Sequence, residues 1–184
     1  VNALYELGFR GADLLTACFG QAVSEFGKYE TVEIKTEIEI DENMTVGILH
    51  DKMAEAGAKL MIEVLSDLDN IKPEKQDESL VTYAAKIDKE ESKLDFDDDA
   101  VYLERKIRAF NPYPATYFEH KGERFKLLKC KVVENKHNLK AGELYSDNKQ
   151  LIIGCKSNAL EVLSIQRQGK RIVSTEELLR GYKF

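Results

Sequence analysis

Cysteine, histidine and long apolar runs are all scarce in this chain, and each scarcity closes a class of function. Its 184 residues contain nothing near the roughly 20 consecutive apolar residues that a membrane-spanning helix requires. The first residues carry no basic segment followed by an apolar one, so no signal peptide is expected. Only three cysteines are present, Cys18, Cys130 and Cys155. They lie far apart and form no CxxC pair, which fits buried thiols in a reducing cytosol. His50, His120 and His137 are scattered just as widely, so no metal site is expected. Internal repeats and low-complexity segments are missing too. The expectation is a cytoplasmic protein with neither membrane nor metal partners.

What is present is 43% hydrophobic and 33% charged residues. That balance supports one good core or two small ones and argues against disorder. The net charge of −6 conceals an asymmetry. Residues 1–96 hold 10 Lys and Arg against 21 Asp and Glu, whereas residues 97–184 hold 17 against 12. The second half is net basic, which suits a polyanion surface. An ordinary solvated face carries as much charge, so charge alone decides nothing.

Hydrophobic periodicity divides the chain. Residues 1–31 show a short helical pattern around Leu4, Leu7, Leu14 and Leu15, broken by Gly8 and Gly11. From Val32 to Ile40 apolar and charged residues alternate strictly, the signature of a half-buried strand. Thr45 or Asn43 then caps a helix of about 20 residues, whose stripe is Leu49, Met53, Ala56, Leu60 and Val64. Residues 67–78 are polar and carry Pro73, and residues 79–96 read as an irregular hinge. One of Asp97, Asp98 and Asp99 caps a second helix, with Val101, Leu103, Ile107 and Phe110 as its buried stripe. Pro112 stops it. Beyond Pro114 the pattern is β. Runs at 125–133, 151–155 and 160–165, separated by Gly and Asn turns, predict a small antiparallel barrel over 114–170. Ser174 to Glu177 forms a capping box for a last short helix ending at Gly181.

Three stretches carry a resemblance to a known family. The first is Asp41-Glu-Asn-Met-Thr45 with His50-Asp-Lys-Met-Ala-Glu-Ala-Gly-Ala-Lys-Leu60. The second is the hinge from Tyr83 to Phe96 with Asn111-Pro112-Tyr113-Pro114. The third is Leu163-Ser-Ile-Gln-Arg-Gln-Gly-Lys170-Arg171 with Ser174-Thr-Glu-Glu-Leu-Leu-Arg-Gly181. In this order they resemble the C-terminal part of the methionyl-tRNA formyltransferases, over about residues 34–184. The family usually has Trp in place of Tyr113 and Gly in place of Ala115. Residues 1–33 resemble, over a short stretch, a DNA methyltransferase-like protein with a zinc ribbon, without that family's Asn-Pro-Pro-Tyr motif.

The resemblance implies an α+β fold. A remnant strand-helix edge of a Rossmann-like formyltransferase domain (34–66) would be followed by a linker and hinge (67–96). A C-terminal OB-like β-barrel that binds tRNA (97–184) would complete the chain, with residues 1–33 an unrelated or fused segment. The full enzyme would bind initiator tRNA and formylate its methionyl group from 10-formyltetrahydrofolate. The family's catalytic Asn-x-His-Pro-Ser-Leu-Leu-Pro signature is not in this sequence. That site needs its Asn, His and Asp to converge on one reacting atom. No catalytic residue is therefore carried over, no cofactor is assigned to this chain, and a separate catalytic domain becomes an expected partner.

The resemblance assigns tRNA contacts to the hinge lysines Lys86 and Lys89. Lysine is a point charge suited to phosphate without base specificity. Arg105, Lys106 and Arg108 lie within one turn of the second helix and suit a phosphate backbone, or simply a charged face. Lys170, Arg171, Arg180 and Lys183 flank the last strand and helix. Phe110, Tyr113 and Tyr117 are candidates for base stacking, with core packing as the alternative. The rival overall reading is a barrel that serves only as a structural or interaction module.

Overall fold

A computed structural model describes residues 36–67, 70, 79 and 87–184. Residues 1–33, Cys18, Lys86 and most of the linker lie outside the described residues. The chain forms two compact units, one within residues 6–85 and one from residue 86 to 184.

In the first unit the described structure is one helix, α1 (Val46–Ser66). Thr45 caps it, accepting a hydrogen bond from the Ile48 N–H at 3.4 Å. Leu49, Gly57 and Leu60 are buried, and Met53, Ala56 and Val64 are half-buried beside them. The predicted stripe is thus the buried face. The strand expected up to Ile40 is not formed at residues 36–40, which belong to no ladder. Exposure still alternates there, with Thr36, Ile38 and Ile40 half-buried and Glu37 and Glu39 exposed. Alternation fixes which side faces inward, but a strand also needs a hydrogen-bonded neighbour.

The second unit is an antiparallel sheet covered by helices. A single 3₁₀ turn, Glu90–Ser92, leads to α2 (Ala100–Ala109). Asp99 caps α2 through the Val101 N–H at 2.8 Å and also accepts from the Ser157 hydroxyl. The buried face is Ala100, Leu103, Ile107 and Phe110, spaced three, four and three apart as a helical face requires. Val101 is 39% exposed, so Ala100 takes the core position expected of it. The helix closes at Ala109, with Phe110 as its C-cap, two residues before Pro112.

Six strands follow among the described residues: β1 (Thr116–His120), β2 (Glu123–Val133), β3 (Leu144–Ser146), β4 (Leu151–Gly154), β5 (Ala159–Arg167) and β6 (Ile172–Ser174). The last helix is α3 (Thr175–Leu179). Spatial order is β1-β2-β5-β4-β3, with β6 also on β5. The predicted runs are β2, β4 and β5. His120 ends β1. A bulge shifts the β2–β5 register around Lys129, so consecutive Leu127 and Leu128 are both buried and the sheet curls. Leu127, Ile153, Leu160 and Ile165 on the sheet pack against Leu103 and Ile107 of α2. Cys130 and Cys155 are buried in this core, and burial pushes the Cys155 thiol up to about 12.

The outer edge of β5 is divided: β4 pairs with Ala159, Leu160 and Glu161, whereas β6 pairs with Ser164, Ile165 and Gln166. At the seam the buried Thr175 hydroxyl donates to the Val162 carbonyl at 2.6 Å, supplying the bond that no strand makes. Gly154, on β4, faces the chain at 139–140 so closely that a Cβ there would lie 2.3 Å from the Lys140 carbonyl oxygen.

Candidate nucleic-acid interface

Alternation along three adjacent strands places six polar or aromatic residues on one face. Tyr117 of β1 pairs with Lys126 of β2, which pairs with Gln166 of β5. One step along, Glu119 pairs with Arg124, whose carbonyl accepts the Gln168 N–H at 2.9 Å. Five of these residues, all but the buried Tyr117, line a hollow of about 480 Å³ together with Gly122 and Gly169 of the flanking turns. The opposite face of the same strands carries Phe118, Phe125, Leu127 and Ile165 into the core.

Three cations, Arg124, Lys126 and Arg167, line the hollow with one acid, Glu119. The Arg124 guanidinium carbon sits 3.9 Å over the Tyr117 ring. Its Nη2 is 3.8 Å from Glu119, and Lys93 Nζ reaches the same carboxylate at 3.7 Å. Lys126 Nζ donates to the Pro114 carbonyl at 3.3 Å. Lys93 links this surface to the hinge, since its backbone bridges to Tyr117 and its carbonyl accepts from Lys106 Nζ at 3.4 Å. Burial lowers the Lys106 pKa, against the opposing pull of Asp98, Glu91 and Asp95. Lys93 thus stands between Lys106 of α2 and the Glu119–Arg124 pair of the sheet.

The residues expected from sequence divide sharply. Lys89 is exposed at the N-cap position of the 3₁₀ turn, with no side-chain capping bond. Lys170 is exposed in the turn that follows Gly169, at the rim of the hollow, and its carbonyl accepts from Gln166 Nε2 at 2.8 Å. Arg105 is half-buried on α2. Arg108 is committed to Glu104 at 2.8 Å, with both side chains largely covered. Arg171 pairs with Glu177, and Arg180 with Glu176 at 3.0 Å. Lys183 is exposed, and its carbonyl accepts from Lys121 Nζ. Of the aromatic candidates, Phe110 and Tyr117 are buried and Tyr113 is 80% exposed. Arg167 also lines the hollow, but Glu123 neutralises it at 2.7 Å and is itself held below the usual carboxylate range by that contact.

Arg124, Lys126, Gln166 and Gln168 are not among the residues expected from sequence. A signal for them exists: Arg124 and Lys126 alternate with Phe125 and Leu127. A second hollow, of about 550 Å³, is lined by Asp98, Asp99, Tyr102, Lys156 and Ser157. Two carboxylates against one lysine make it unsuited to a polyanion. Among the described residues no cluster of His, Cys, Asp and Glu is arranged to hold a metal. No described helix is long and apolar enough to cross a membrane.

Comparison with known proteins places this surface in a family. Residues 86–183 match the formyl transferase C-terminal domain. A methionyl-tRNA formyltransferase from Rhizorhabdus wittichii is 46% identical over 138 residues, which is 75% of this chain and 44% of that protein. One from Rickettsia bellii is 35% identical over 150 residues, 82% of this chain and 49% of that protein. The chain thus spans about half the length of the curated relatives it matches. Among solved structures, a variant of HypX from Aquifex aeolicus aligns with a TM-score of 0.69 at 18% identity, covering 98% of this chain and 33% of that one. HypX in complex with tetrahydrofolic acid aligns with a TM-score of 0.67 at 18% identity, covering 96% and 31%. At that identity the likeness is one of fold. The chain belongs to the formyl transferase C-terminal domain family, and its matching residues are similar to the C-terminal part of the methionyl-tRNA formyltransferases.

Proposed function

We propose that this chain is the tRNA-holding part of a methionyl-tRNA formyltransferase. It grips initiator tRNA while a catalytic domain transfers a formyl group from 10-formyltetrahydrofolate to the methionyl amine. In this reading residues 34–66, with α1, form the end of a Rossmann-like catalytic domain, and residues 67–96 are the linker and hinge. Residues 97–184 close into an OB-like barrel, residues 1–33 are a separate segment, and the protein works in the cytoplasm. The chain alone binds and does not catalyse.

The observation that carries the reading is a set of cations on the sheet unit: Lys89 on the 3₁₀ turn, Lys93 and Lys106 joined through the Lys93 carbonyl, and Arg124 and Lys126 on β2, a surface suited to a polyanion. Lys86, Lys170 and Lys183 add phosphate contacts. Arg105, Arg108, Arg171 and Arg180 contribute to the field rather than by direct contact. The internal pairing of Arg108, Arg171 and Arg180 is what favours the rival reading of a structural module.

Filter binding of tRNA over a range of salt separates the two. A polyanion contact releases counterions, so log affinity falls with log salt at about 0.7–0.9 per phosphate. Three to six contacts give a loss of roughly tenfold or more between low and physiological salt. Exchanging Lys86 and Lys89 for Glu should weaken every tRNA alike, because phosphate contacts carry no sequence information. A double variant that binds like the parent, with no effect of salt, leaves the structural module standing.

A further inference from the structure

The hollow on β1, β2 and β5 contains more than positive charge. The Arg124 guanidinium rests over the Tyr117 ring at 3.9 Å, and Arg124 lines the hollow. Tyr117 itself is only 7% exposed, so the guanidinium is the accessible surface of that stack. A guanidinium plane is a surface on which a nucleic-acid base stacks. Beside it stands Glu119, 3.8 Å from Arg124. That carboxylate repels a phosphate placed on Arg124, yet it accepts readily from a base amino group. Phosphate is instead drawn to Lys126, one row away and across from Tyr117.

Gln168 lies beyond Arg124 and Gln166 beyond Lys126. The Gln166 amide nitrogen is engaged by the Lys170 carbonyl, which leaves its oxygen to face a ligand. The glutamines therefore supply donor and acceptor groups at base and sugar edges. A Cβ added at Gly122 or Gly169 would meet nothing within 4 Å, so neither turn crowds the hollow. The volume, about 480 Å³, lies within the range of small-ligand sites, roughly 300–1,000 Å³.

We infer that this hollow is a subsite for one unpaired ribonucleotide, its base stacked on Arg124 and its phosphate on Lys126. The inference rests on the nucleic-acid reading of the surface, and deepens it from backbone contact to recognition of a base that has left its helix. A duplex offers no free base face and would meet Glu119 with its phosphates.

The test uses the whole chain, a short fluorescein-labelled single-stranded oligoribonucleotide and the same sequence as a blunt duplex, read by fluorescence anisotropy. Arg124→Ala and Arg124→Lys should both weaken single-strand binding by about 5- to 100-fold, as loss of one stacked base does. Duplex binding should change less than about threefold. Lys126→Ala should reduce the single-strand salt slope by about 0.7. If Arg124→Lys binds the single strand like the parent, charge alone acts and stacking is overturned. Equal losses for single strand and duplex overturn it too. If Arg124 variants are silent while Lys89→Glu weakens tRNA binding, the subsite falls and the tRNA reading survives. If neither substitution nor salt alters binding, both fall.

Discussion

Replacing Gly154 with alanine should destabilise the sheet unit severely, although it adds only one methyl group. An ideal Cβ at this position lies 2.3 Å from the Lys140 carbonyl oxygen, 2.7 Å from the Leu139 Cβ and 2.9 Å from the Leu139 carbonyl oxygen. Carbon–oxygen contacts settle near 3.3 Å or more, so the backbone at 139–140 must retreat by about 1 Å. It is not free to do so. The Gly142 N–H donates to the Gly154 carbonyl and the Gly154 N–H to the Glu143 carbonyl, both at 2.9 Å. The side chain of Asn135 clamps Leu139 from both its N–H and its carbonyl. Overpacking costs about 1–3 kcal/mol, and weakening two hydrogen bonds adds about 0.5–1.5 kcal/mol each. A loss of about 3 kcal/mol is expected, which lowers the urea midpoint by about 1–3 M at the usual slopes. Urea titration by circular dichroism, with an unchanged slope, is the assay. Gly181→Ala is the control, since a Cβ there meets nothing within 4 Å, and it should stay within about 0.5 kcal/mol of the parent. If Gly154→Ala unfolds with the parent, the 139–143 segment yields freely and the close approach has no energetic meaning.

Two further perturbations probe other parts of the unit. Thr175→Val keeps the shape but strands the Val162 carbonyl in the core, so it should cost about 1–3 kcal/mol in the same titration, while Thr175→Ser should cost clearly less. His120 is held neutral by burial and by Lys121, which lower its pKa, and its Nε2 lacks a protein partner. As pH falls through the ordinary histidine value, near 6.5, the unfolded chain takes up the proton first and stability drops. His120→Gln should flatten that drop between pH about 7.5 and about 5.5; an identical pH dependence in both proteins would refute it.

Much of this architecture was legible because local chemistry and global packing agree. Thr45 caps α1 and Ser174 caps α3, as their spacing to the following apolar runs implies. β2, β4 and β5 announce themselves by apolar runs between Gly and Asn turns. β3 and β6 have three residues each, too few to show a period. The α2 stripe was displaced by one position because Val101 is more hydrophobic than Ala100, yet helical geometry aligns Ala100 with Leu103 and Ile107. The cationic hollow was the least legible feature. Its residues come from three strands and are brought together by register alone, so no contiguous motif marks them. Conversely, Arg108, Arg171 and Arg180 stood out in sequence as basic clusters, and their acidic partners one turn or one loop away quench them.

The seam in β5 makes the C-terminal tail a separable cooperative piece. β6 and α3 hold to the sheet through three ladder positions, the Thr175 hydroxyl and the partly buried Val173 and Leu178, whereas β2 grips β5 along almost its whole length. Amide exchange should therefore begin in residues 172–179 while the β2–β5 pair stays closed, an opening well short of global unfolding. Gln166 connects the two regimes. Its backbone pairs with Lys126 on one side and with Ile172 on the other. A molecule that immobilises Gln166 from the hollow steadies the strand to which the tail is zipped, so ligand occupancy on one edge of β5 is expressed as slowed fraying on the other.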